Sequence, residues 1–469
     1  MHLGDLLDDQ AFDVATGHLE VTSVQIDSRA CAEGSLFFAM AGHGDHGEAH
    51  VADAVARGAV AVVAAHAIPA GVPVVVVPQT QLRALLAEAS AAIVGHPERA
   101  VELVGVTGTN GKTTVTTLVA ELARLVGWNG ANIGTLTNER TTPAPPELMR
   151  TLDGLVTGFD ASRARSIVAL EVSSHALDQG RVDGLRFPVA GFTNLSHDHL
   201  DYHETMEQYF AAKSLLFTPE HSQRAIVWVD DPYGERLADA TSLPVTRVRR
   251  DDATDVVTSL DGTSFTWRGL PVTTPLVGGY NVDNALVALE IMAALGAHDA
   301  VLAAAMEAVR PVPGRLEVIK GPDATVVVDY AHTPEGLRRL LRDVRALAPG
   351  ARITTVFGCG GERDRAKRPE MGRVATELSD FTIVTSDNPR SESPDAIIDA
   401  IMSGVLEGSP VGRVVDRRAA IGEALAQARA GDVVVVAGKG HETFQRVGDE
   451  SLPFDDRVVA RELLGLNRC

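Results

Sequence analysis

The sequence predicts an α/β chain of three domains: a small N-terminal α/β domain, a central domain on a mostly parallel sheet, and a C-terminal, Rossmann-like doubly wound domain. Three observations carry this. An apolar run, a glycine loop and a helical pattern follow one another between Val101 and Val126, the loop being Gly105-Val106-Thr107-Gly108-Thr109-Asn110-Gly111-Lys112-Thr113-Thr114. From about Glu317 onward strand and helix patterns alternate, with polar motifs at the carboxyl ends of the strands, where such sheets bind ligands. A length of 469 residues, 45% of them hydrophobic, can fill several cores.

Residues 1–98 are assigned to the first domain. Strands are expected at Val21 to Ile26, about Leu36 to Ala39, Val60 to Ala64 and Val72 to Val77, with a helix from Ala49 to Arg57. Asp27-Ser28-Arg29 closes the first strand and by itself reads as a solvated turn. The second domain covers 99–316, with strands at Val101 to Val106, Ser166 to Glu171, Val189 to Asn194 and Ala225 to Val229. Its helices are expected at Val115 to Val126, Thr205 to Phe217 and Asn281 to Leu295. The third domain, 317–469, has strands at Thr325 to Asp329, Ile353 to Phe357, Phe381 to Thr385, Val411 to Val415 and Val433 to Ala437.

The glycine loop reads as a phosphate cradle. Glycines let backbone N–H groups turn inward, and the following helix adds its positive end. Lys112 supplies a point charge and Thr113 a hydroxyl for Mg²⁺. The spacing is G-x-x-G-x-x-G-K-T, with Val106 where the usual G-x-x-x-x-G-K-[ST] pattern has its first glycine. The central domain is therefore expected to be P-loop ATPase-like.

Composition narrows the partners. With 42 basic and 62 acidic residues the chain carries a formal charge of −20, which disfavours nucleic acid and anionic membranes. Only five residues are lysine (Lys112, Lys213, Lys320, Lys367 and Lys439), so lysine stands where a compact or titratable amine matters. Cys31, Cys359 and Cys469 show no metal spacing and suit a reducing cytoplasm, and neither a targeting signal nor a spanning segment is legible.

Other constellations point to metal and nucleotide chemistry. Glu171-Val172-Ser173-Ser174-His175 ends a buried strand, so Glu171 can hold a metal beside the loop if the two strands are neighbours. His197-Asp198-His199-Leu200-Asp201-Tyr202-His203 invites a metal. The binuclear zinc hydrolase pattern H-x-H-x-D-H fails there by one residue, whereas Mg²⁺ with ATP needs only one or two protein ligands; a solvated histidine loop is the bland alternative. Lys213 lies on a helix and can equally be a surface lysine. Asn281 and Asn284 share one face of a helix start, Val312-Pro313-Gly314-Arg315 presents an arginine at a hinge, and Asp329 leaves its strand where a ribose hydroxyl could be held.

These residues, in this order, resemble the muramyl ligase family, the ATP-dependent amide ligases that build the peptide stem of peptidoglycan precursors. The likeness covers nearly the whole chain. Five stretches resemble the members that add the third amino acid, usually meso-diaminopimelate, to UDP-N-acetylmuramoyl-L-alanyl-D-glutamate. They are Glu171-Val172-Ser173-Ser174-His175, Asp329-Tyr330-Ala331-His332-Thr333-Pro334, Phe357-Gly358-Cys359-Gly360-Gly361, Asp387-Asn388-Pro389-Arg390 and Gly438-Lys439-Gly440-His441-Glu442. Two stretches depart from the family: Gly361-Glu362-Arg363-Asp364-Arg365-Ala366-Lys367-Arg368-Pro369 has Glu362 and Ala366 where aspartate and glycine are usual, and Gly44-Asp45-His46-Gly47 alters a first-domain turn.

The resemblance implies ATP and Mg²⁺ as cofactors and an acyl phosphate route. It implies that Gly108, Thr109, Asn110, Gly111, Lys112, Thr113 and Thr114 cradle the phosphates, that Thr113 and Glu171 hold one Mg²⁺, and that His199 and a carbamylated Lys213 hold a second. Asn281 and Asn284 would face adenine, Arg315 the phosphates and Asp329 the ribose; Ser28 would bind the uridine nucleotide, and Thr141, Thr142, Ser173, Gln179 and Arg181 its sugar and peptide. Arg363, Asp387, Asn388, Arg390, Gly438 and Glu442 would bind diaminopimelate. A cytoplasmic monomer is expected, with L-lysine as an alternative acceptor and a folylpolyglutamate-type ligase as an alternative enzyme.

Overall fold

Strands that are apolar on both faces are stable only when both faces are covered, and each large sheet of this chain meets that condition. The computed structural model describes residues 1–7, 14–40, 47–138 and 140–466, in two units, Met1–Asp252 with Asn284–Ala305, and Ala253–Asp283 with Met306–Cys469.

The first unit holds two sheets. β1 (Ser23–Gln25), β2 (Ser35–Phe38), β3 (Ala59–Ala64) and β4 (Val74–Val76) pair in parallel in that order. Leu36, Phe38, Ala61 and Val63 meet Leu3 and Leu82 on one side, while Phe37, Val62 and Ala64 meet Val51 and Ala54 on the other, as a period of two requires. The second sheet comprises β5 (Glu102–Thr107), β6 (Asn129–Ile133), β7 (Ser166–Glu171), β8 (Val189–Phe192), β9 (Ala225–Trp228) and β10 (Val245–Val248). Its order is β10-β9-β8-β5-β7-β6, all parallel. After β5 the chain builds β6 and β7 on one side and β8 to β10 on the other. The glycine loop therefore leaves the sheet at its switch point, and the Val106–Glu171 register sets Glu171 beside it.

Elements here with no counterpart in the sequence expectation include β6, β10 and the helices Gln79–Ala92, Pro145–Gly158, Pro232–Ala240 and Asp299–Ala305. β6 reads Asn-Gly-Ala-Asn-Ile, a poor strand former that is held by its pairing with β7. The expected Thr205 to Phe217 helix is Met206–Ser214 followed by a 3₁₀ turn, with the Thr205 hydroxyl capping it by accepting from Gln208 N–H at 3.2 Å. Asp27-Ser28-Arg29 enters a 3₁₀ turn capped by Asp27. The altered turn at 44–46 and Cys469 lie outside the described residues.

The second unit opens with an antiparallel sheet that the sequence expectation lacks: β11 (Ala253–Ser259), β12 (Gly262–Trp267) and β13 (Leu270–Thr274). β12 buries Thr263, Phe265 and Trp267 in alternation, a legible signal that a bulge between Thr254 and Val257 blurs on its partner. The main sheet comprises β14 (Glu317–Lys320), β15 (Ala324–Asp329), β16 (Ile353–Phe357), β17 (Phe381–Val384), β18 (Val411–Arg413) and β19 (Asp432–Ala437). The order is β14-β15-β19-β16-β17-β18, parallel except for β14. All five expected strands are present, and β19 inserts between β15 and β16. The hairpin β20 (Phe444–Val447) and β21 (Glu450–Pro453) follows, and Val447 bridges to Arg390.

Adjacent strand ends bring Asp329, the Phe357 to Gly361 loop, the Thr385 to Arg390 loop and the Gly438 to Glu442 loop together. A buried ion pair pins two of them from below. Arg417 and Asp456, each 0% exposed, bond twice at 2.8 Å, and Arg417 also donates to the carbonyls of Ala437 at 2.9 Å and Ser386 at 3.3 Å.

Candidate active site

The loop after β5 depends on two glycines. Gly108 and Gly111 have φ of 147° and 87°, and a Cβ on them would sit 1.9 Å from Thr193 Oγ1 and 2.4 Å from Asn284 Oδ1, so no side chain fits at either position. The loop is tied to the end of β8: Thr109 N–H donates to the Asn194 carbonyl at 2.9 Å, and Asn110 N–H to Asn194 Oδ1 at 3.0 Å. Lys112 Nζ donates to the carbonyls of Gly108 and Thr109 at 2.8 and 2.9 Å, and Thr113 and Thr114 are buried at the start of the helix Lys112–Leu125.

Thr113 Oγ1 donates to Glu171 Oε2 at 3.0 Å, the contact that the strand order makes possible. Glu171 Oε1 accepts Thr135 N–H at 2.9 Å. A Cβ at Gly134 would fall 2.1 Å from that same oxygen. Thr135 and Gly134 belong to this site and were missed in the sequence, because β6, which delivers them, carries no clear strand pattern.

Five of the residues expected to bind the muramyl substrate form one network. Thr142 Oγ1 donates to the Glu171 carbonyl at 2.8 Å and contacts Ser173 Oγ at 3.2 Å, and Thr141 Oγ1 lies 3.1 Å from Thr135 Oγ1. Arg181 NH1 donates to the Thr142 carbonyl at 2.9 Å, and its Nε and NH2 hold Gln179 Oε1 at 3.0 and 2.6 Å. Ser28 is buried on the smaller sheet's side and joins none of these bonds among the described residues.

The histidine segment folds into an aromatic cluster. The His199 and His203 rings lie 5.0 and 5.5 Å from that of His175, and His203 stacks on Tyr209 at 5.2 Å. Burial pushes the His175 imidazole down to about 4 and lowers His199 and His203 as well, so all three favour the neutral, ligating form. His199 adopts a left-handed backbone, with Nε2 3.5 Å from Asp198 Oδ2.

Lys213 is not a surface lysine. It is 1% exposed, donates from Nζ to the Gly108 carbonyl at 2.9 Å, and lies over the Tyr209 ring at 4.7 Å. Burial, reinforced by Lys112, holds its amine well below the usual lysine range. Tyr209 also contacts Thr109 Oγ1 at 3.2 Å, a role its apolar-helix setting concealed in the sequence.

The second unit carries the other constellation. Arg315 lies 4.6 Å over the Tyr330 ring, and Gly314 packs so closely on Gly440 that a Cβ would come within 2.1 Å of its carbonyl carbon. Asp329 accepts from the N–H groups of Leu316 at 2.7 Å and Ala331 at 2.8 Å; its burial raises its pKa, against the pull of Arg315 and those bonds. Asn281 Nδ2 donates to the Val277 carbonyl at 2.8 Å.

Arg390 does not pair with Glu392. That carboxylate receives NH1 and NH2 of Arg368, both at 3.0 Å. Arg390 NH1 instead donates to the Gly361 carbonyl at 2.6 Å, in a left-handed backbone fixed by its bonds to Arg446 and Gly448. Burial lowers its pKa, and so do the neighbouring charges of Arg363 and Arg446. Arg446 is thus a third guanidinium of this cluster that no sequence motif announced. Asp387 Oδ1 accepts Asn388 N–H at 2.7 Å, and Gly438, with φ of 114°, leaves room for Asp387 Oδ2, which a Cβ would meet at 2.8 Å.

Comparison with known proteins follows the same division. Residues 20–94 match the profile of the Mur ligase family catalytic domain, 106–292 the Mur ligase middle domain, and 314–440 the Mur ligase glutamate ligase domain. The chain belongs to the Mur ligase family. The UDP-N-acetylmuramoyl-L-alanyl-D-glutamate–2,6-diaminopimelate ligase of Gloeobacter violaceus is a Mur ligase 43% identical to it, over 96% of this chain and 95% of its own. The ligase of the same name from Geobacillus kaustophilus is 42% identical over 95% of each. A solved structure of a ligase of that name covers 99% of both chains at 30% identity with a TM-score of 0.68. Folylpolyglutamate synthase of Mycobacterium tuberculosis shares the fold alone: 20% identity and a TM-score of 0.58, over 82% of this chain and 95% of that one.

The metal implied for a Mur ligase is Mg²⁺. Thr113 and Glu171 offer it hard oxygens at the mouth of the loop, which suits an ion completed by water and phosphate oxygens. Among the described residues no three His, Cys, Asp or Glu side chains are grouped to hold a metal.

Proposed function

We infer that this chain is the ATP-dependent ligase that joins meso-2,6-diaminopimelate to the D-glutamate γ-carboxylate of UDP-N-acetylmuramoyl-L-alanyl-D-glutamate, a step in building the cell wall. A carboxylate is a poor acyl donor. The γ-phosphoryl group of ATP passes to a carboxylate oxygen and ADP leaves; the acceptor amine then adds to the acyl carbon, gives up a proton, and phosphate departs. The protein's part is positioning and charge neutralisation. The observation that carries this reading is the Thr113–Glu171 contact beside Lys112 on a loop that only glycine can form.

Lys112 holds the β- and γ-phosphates, with Gly108, Thr109, Asn110, Gly111 and Thr114 around them. Bound Mg²⁺ neutralises phosphate charge. Thr113 and Glu171 are assigned to one ion, and His199 with carbamylated Lys213 to another. The burial of the Lys213 amine, which lowers its pKa well below the usual lysine range, supports that assignment, since carbamylation consumes a free amine. Asn281 and Asn284 are assigned to adenine, Arg315 to the phosphates and Asp329 to the ribose. Ser28 is assigned to the uridine nucleotide, and Thr141, Thr142, Ser173, Gln179 and Arg181 to the sugar and peptide. Arg390 is assigned to the acceptor's distal carboxylate, and Arg363, Asp387, Asn388, Gly438 and Glu442 to its remaining polar groups.

We assign the chain to the cytoplasm, because the reaction draws on ATP and a uridine nucleotide. We take the chain as a monomer, with domain boundaries near 98 and 316. An amino-acid panel incubated with UDP-N-acetylmuramoyl-L-alanyl-D-glutamate, ATP and Mg²⁺, read by product mass, tests the function. The diaminopimelate adduct should dominate; equal use of L-lysine would overturn the acceptor, and no amino-acid-dependent phosphate release would overturn the ligase.

A further inference from the structure

One of the two buried lysines among the described residues has no part in the ligation chemistry described above. Lys439, in the loop after β19, is 0% exposed, and an ammonium is costly to bury unless its donors are met. Its Nζ donates to Asn388 Oδ1 at 3.0 Å and to Glu442 Oε2 at 2.8 Å. Asn388 Oδ1 also accepts Arg446 N–H at 2.9 Å. Two donors on that oxygen fix the amide's orientation, which leaves Nδ2 to donate to Glu442 Oε2 at 2.7 Å. Glu442 Oε2 is thereby occupied twice. Oε1 receives no hydrogen bond from the described residues, and the Glu442 side chain is 21% exposed.

We propose that Lys439 is a positioning residue for the acceptor, holding Asn388 and Glu442 so that Glu442 presents the single oxygen Oε1 to an ammonium of the incoming amino acid. This rests on the reading of Asn388 and Glu442 as acceptor-binding groups. The Lys439–Glu442 pair is neutral as a whole, so the ammonium is recognised by the direction of one lone-pair set rather than by an excess of negative charge. Without Lys439 the Asn388 oxygen keeps one donor of two, the Arg446 N–H, and Glu442 keeps one anchor of two. The carboxylate would then sample several rotamers, and the acceptor would lose its fixed register.

The test is steady-state kinetics of the full-length Lys439→Met enzyme with each substrate varied in turn. KM for meso-diaminopimelate should rise tenfold or more, while KM for ATP and for the UDP-muramyl dipeptide stays within twofold. Lys439→Gln, which keeps a donor in place, should recover part of the loss, and it carries the same test if the methionine variant does not fold. Because both groups act through one carboxylate, Lys439→Met/Glu442→Gln should be little worse than Glu442→Gln alone. An unchanged KM for diaminopimelate, equal damage to all three substrates, or multiplicative loss in the double variant would each overturn the proposal. A wild-type enzyme inactive with diaminopimelate would instead overturn the acceptor reading on which it rests.

Discussion

The two constellations of this ligase are built from opposite materials. Around the loop after β5, the groups assigned to phosphate are backbone amides, one lysine and one hydroxyl, and shape is imposed by glycines whose Cβ positions are already occupied. At the carboxyl ends of β15, β19, β16 and β17, the groups are charged side chains from several loops: Arg363, Arg390, Arg446, Lys439 and Glu442. Every nucleotide carries the same phosphates, so a backbone cradle suffices for them. One amino acid must be told from another by where its charges lie, which calls for fixed side-chain charges. Damage to the first half should stop chemistry with any acceptor, and damage to the second should change which acceptor is used.

The largest effect is expected at Lys112. Lys112→Ala removes charge that stabilises the transferring phosphoryl group and touches no core, so kcat should fall on the order of 10³-fold with the circular dichroism spectrum unchanged. Near-normal phosphate release would sink the assignment of the cradle. Lys213→Ala should lose about 10²-fold or more, and a small carboxylate such as formate should restore part of it. An unmodified Lys213 that tolerates replacement would break the second-metal reading.

Beneath the acceptor half, Asp456→Ala would leave Arg417 buried and unpaired, at a cost of about 3–5 kcal/mol in urea unfolding. Arg390→Ala should cost about 3 kcal/mol in discrimination, roughly a hundredfold, mainly by losing diaminopimelate rather than gaining lysine. Competition between the two amino acids in one reaction reads this directly. An unaltered product ratio would move selectivity to Arg363 or Arg446.

The same contrast explains what could be read from the sequence. The cradle is local: strand, glycines, lysine and threonine are consecutive, and the strand ends at Glu171 and Asp329 are marked by apolar runs. The doubly wound sheet is legible for the same reason, since buried parallel strands such as Val433 to Ala437 leave unbroken apolar stretches. Thr135 escaped because β6 is Asn- and Gly-rich and exists through pairing alone. Arg446 escaped because it stands far along the chain from Arg390 and is tied to it by a backbone bond, Arg390 N–H to the Arg446 carbonyl, for which no local pattern exists. β19, last in sequence yet central in the sheet, shows that strand order too is a tertiary property. The acceptor residues were accordingly found through the muramyl ligase resemblance, and the cradle through its chemistry.

The smallest expected effect is the sharpest test of the difference in materials, because it uses only protons. Glu392 ties together the two turns that present Arg363 and Arg390: it pairs with Arg368 and accepts Glu362 N–H at 2.6 Å. The Arg368 bonds, with that backbone bond, hold its carboxyl down at about 2, against 4.5 for a free glutamate. A carboxyl depressed in the folded state stabilises the fold above its unfolded pKa, and that contribution drains away as pH falls from about 4.5 toward 2, where the unfolded chain takes up the proton first. A partly solvated pair of this kind is worth on the order of 1 kcal/mol. Wild-type stability in urea should therefore fall more steeply between pH 5 and 3 than that of Glu392→Gln, which starts lower and has lost this part of the slope. Over the same range, ADP affinity relative to diaminopimelate affinity should shift in favour of ADP in the wild type and less so in the variant, since charge holds the acceptor turns and backbone holds the cradle. Parallel stability curves for the two proteins would mean that the Glu392–Arg368 pair contributes none of the acid sensitivity, and that the acceptor turns are held by their backbone bonds after all.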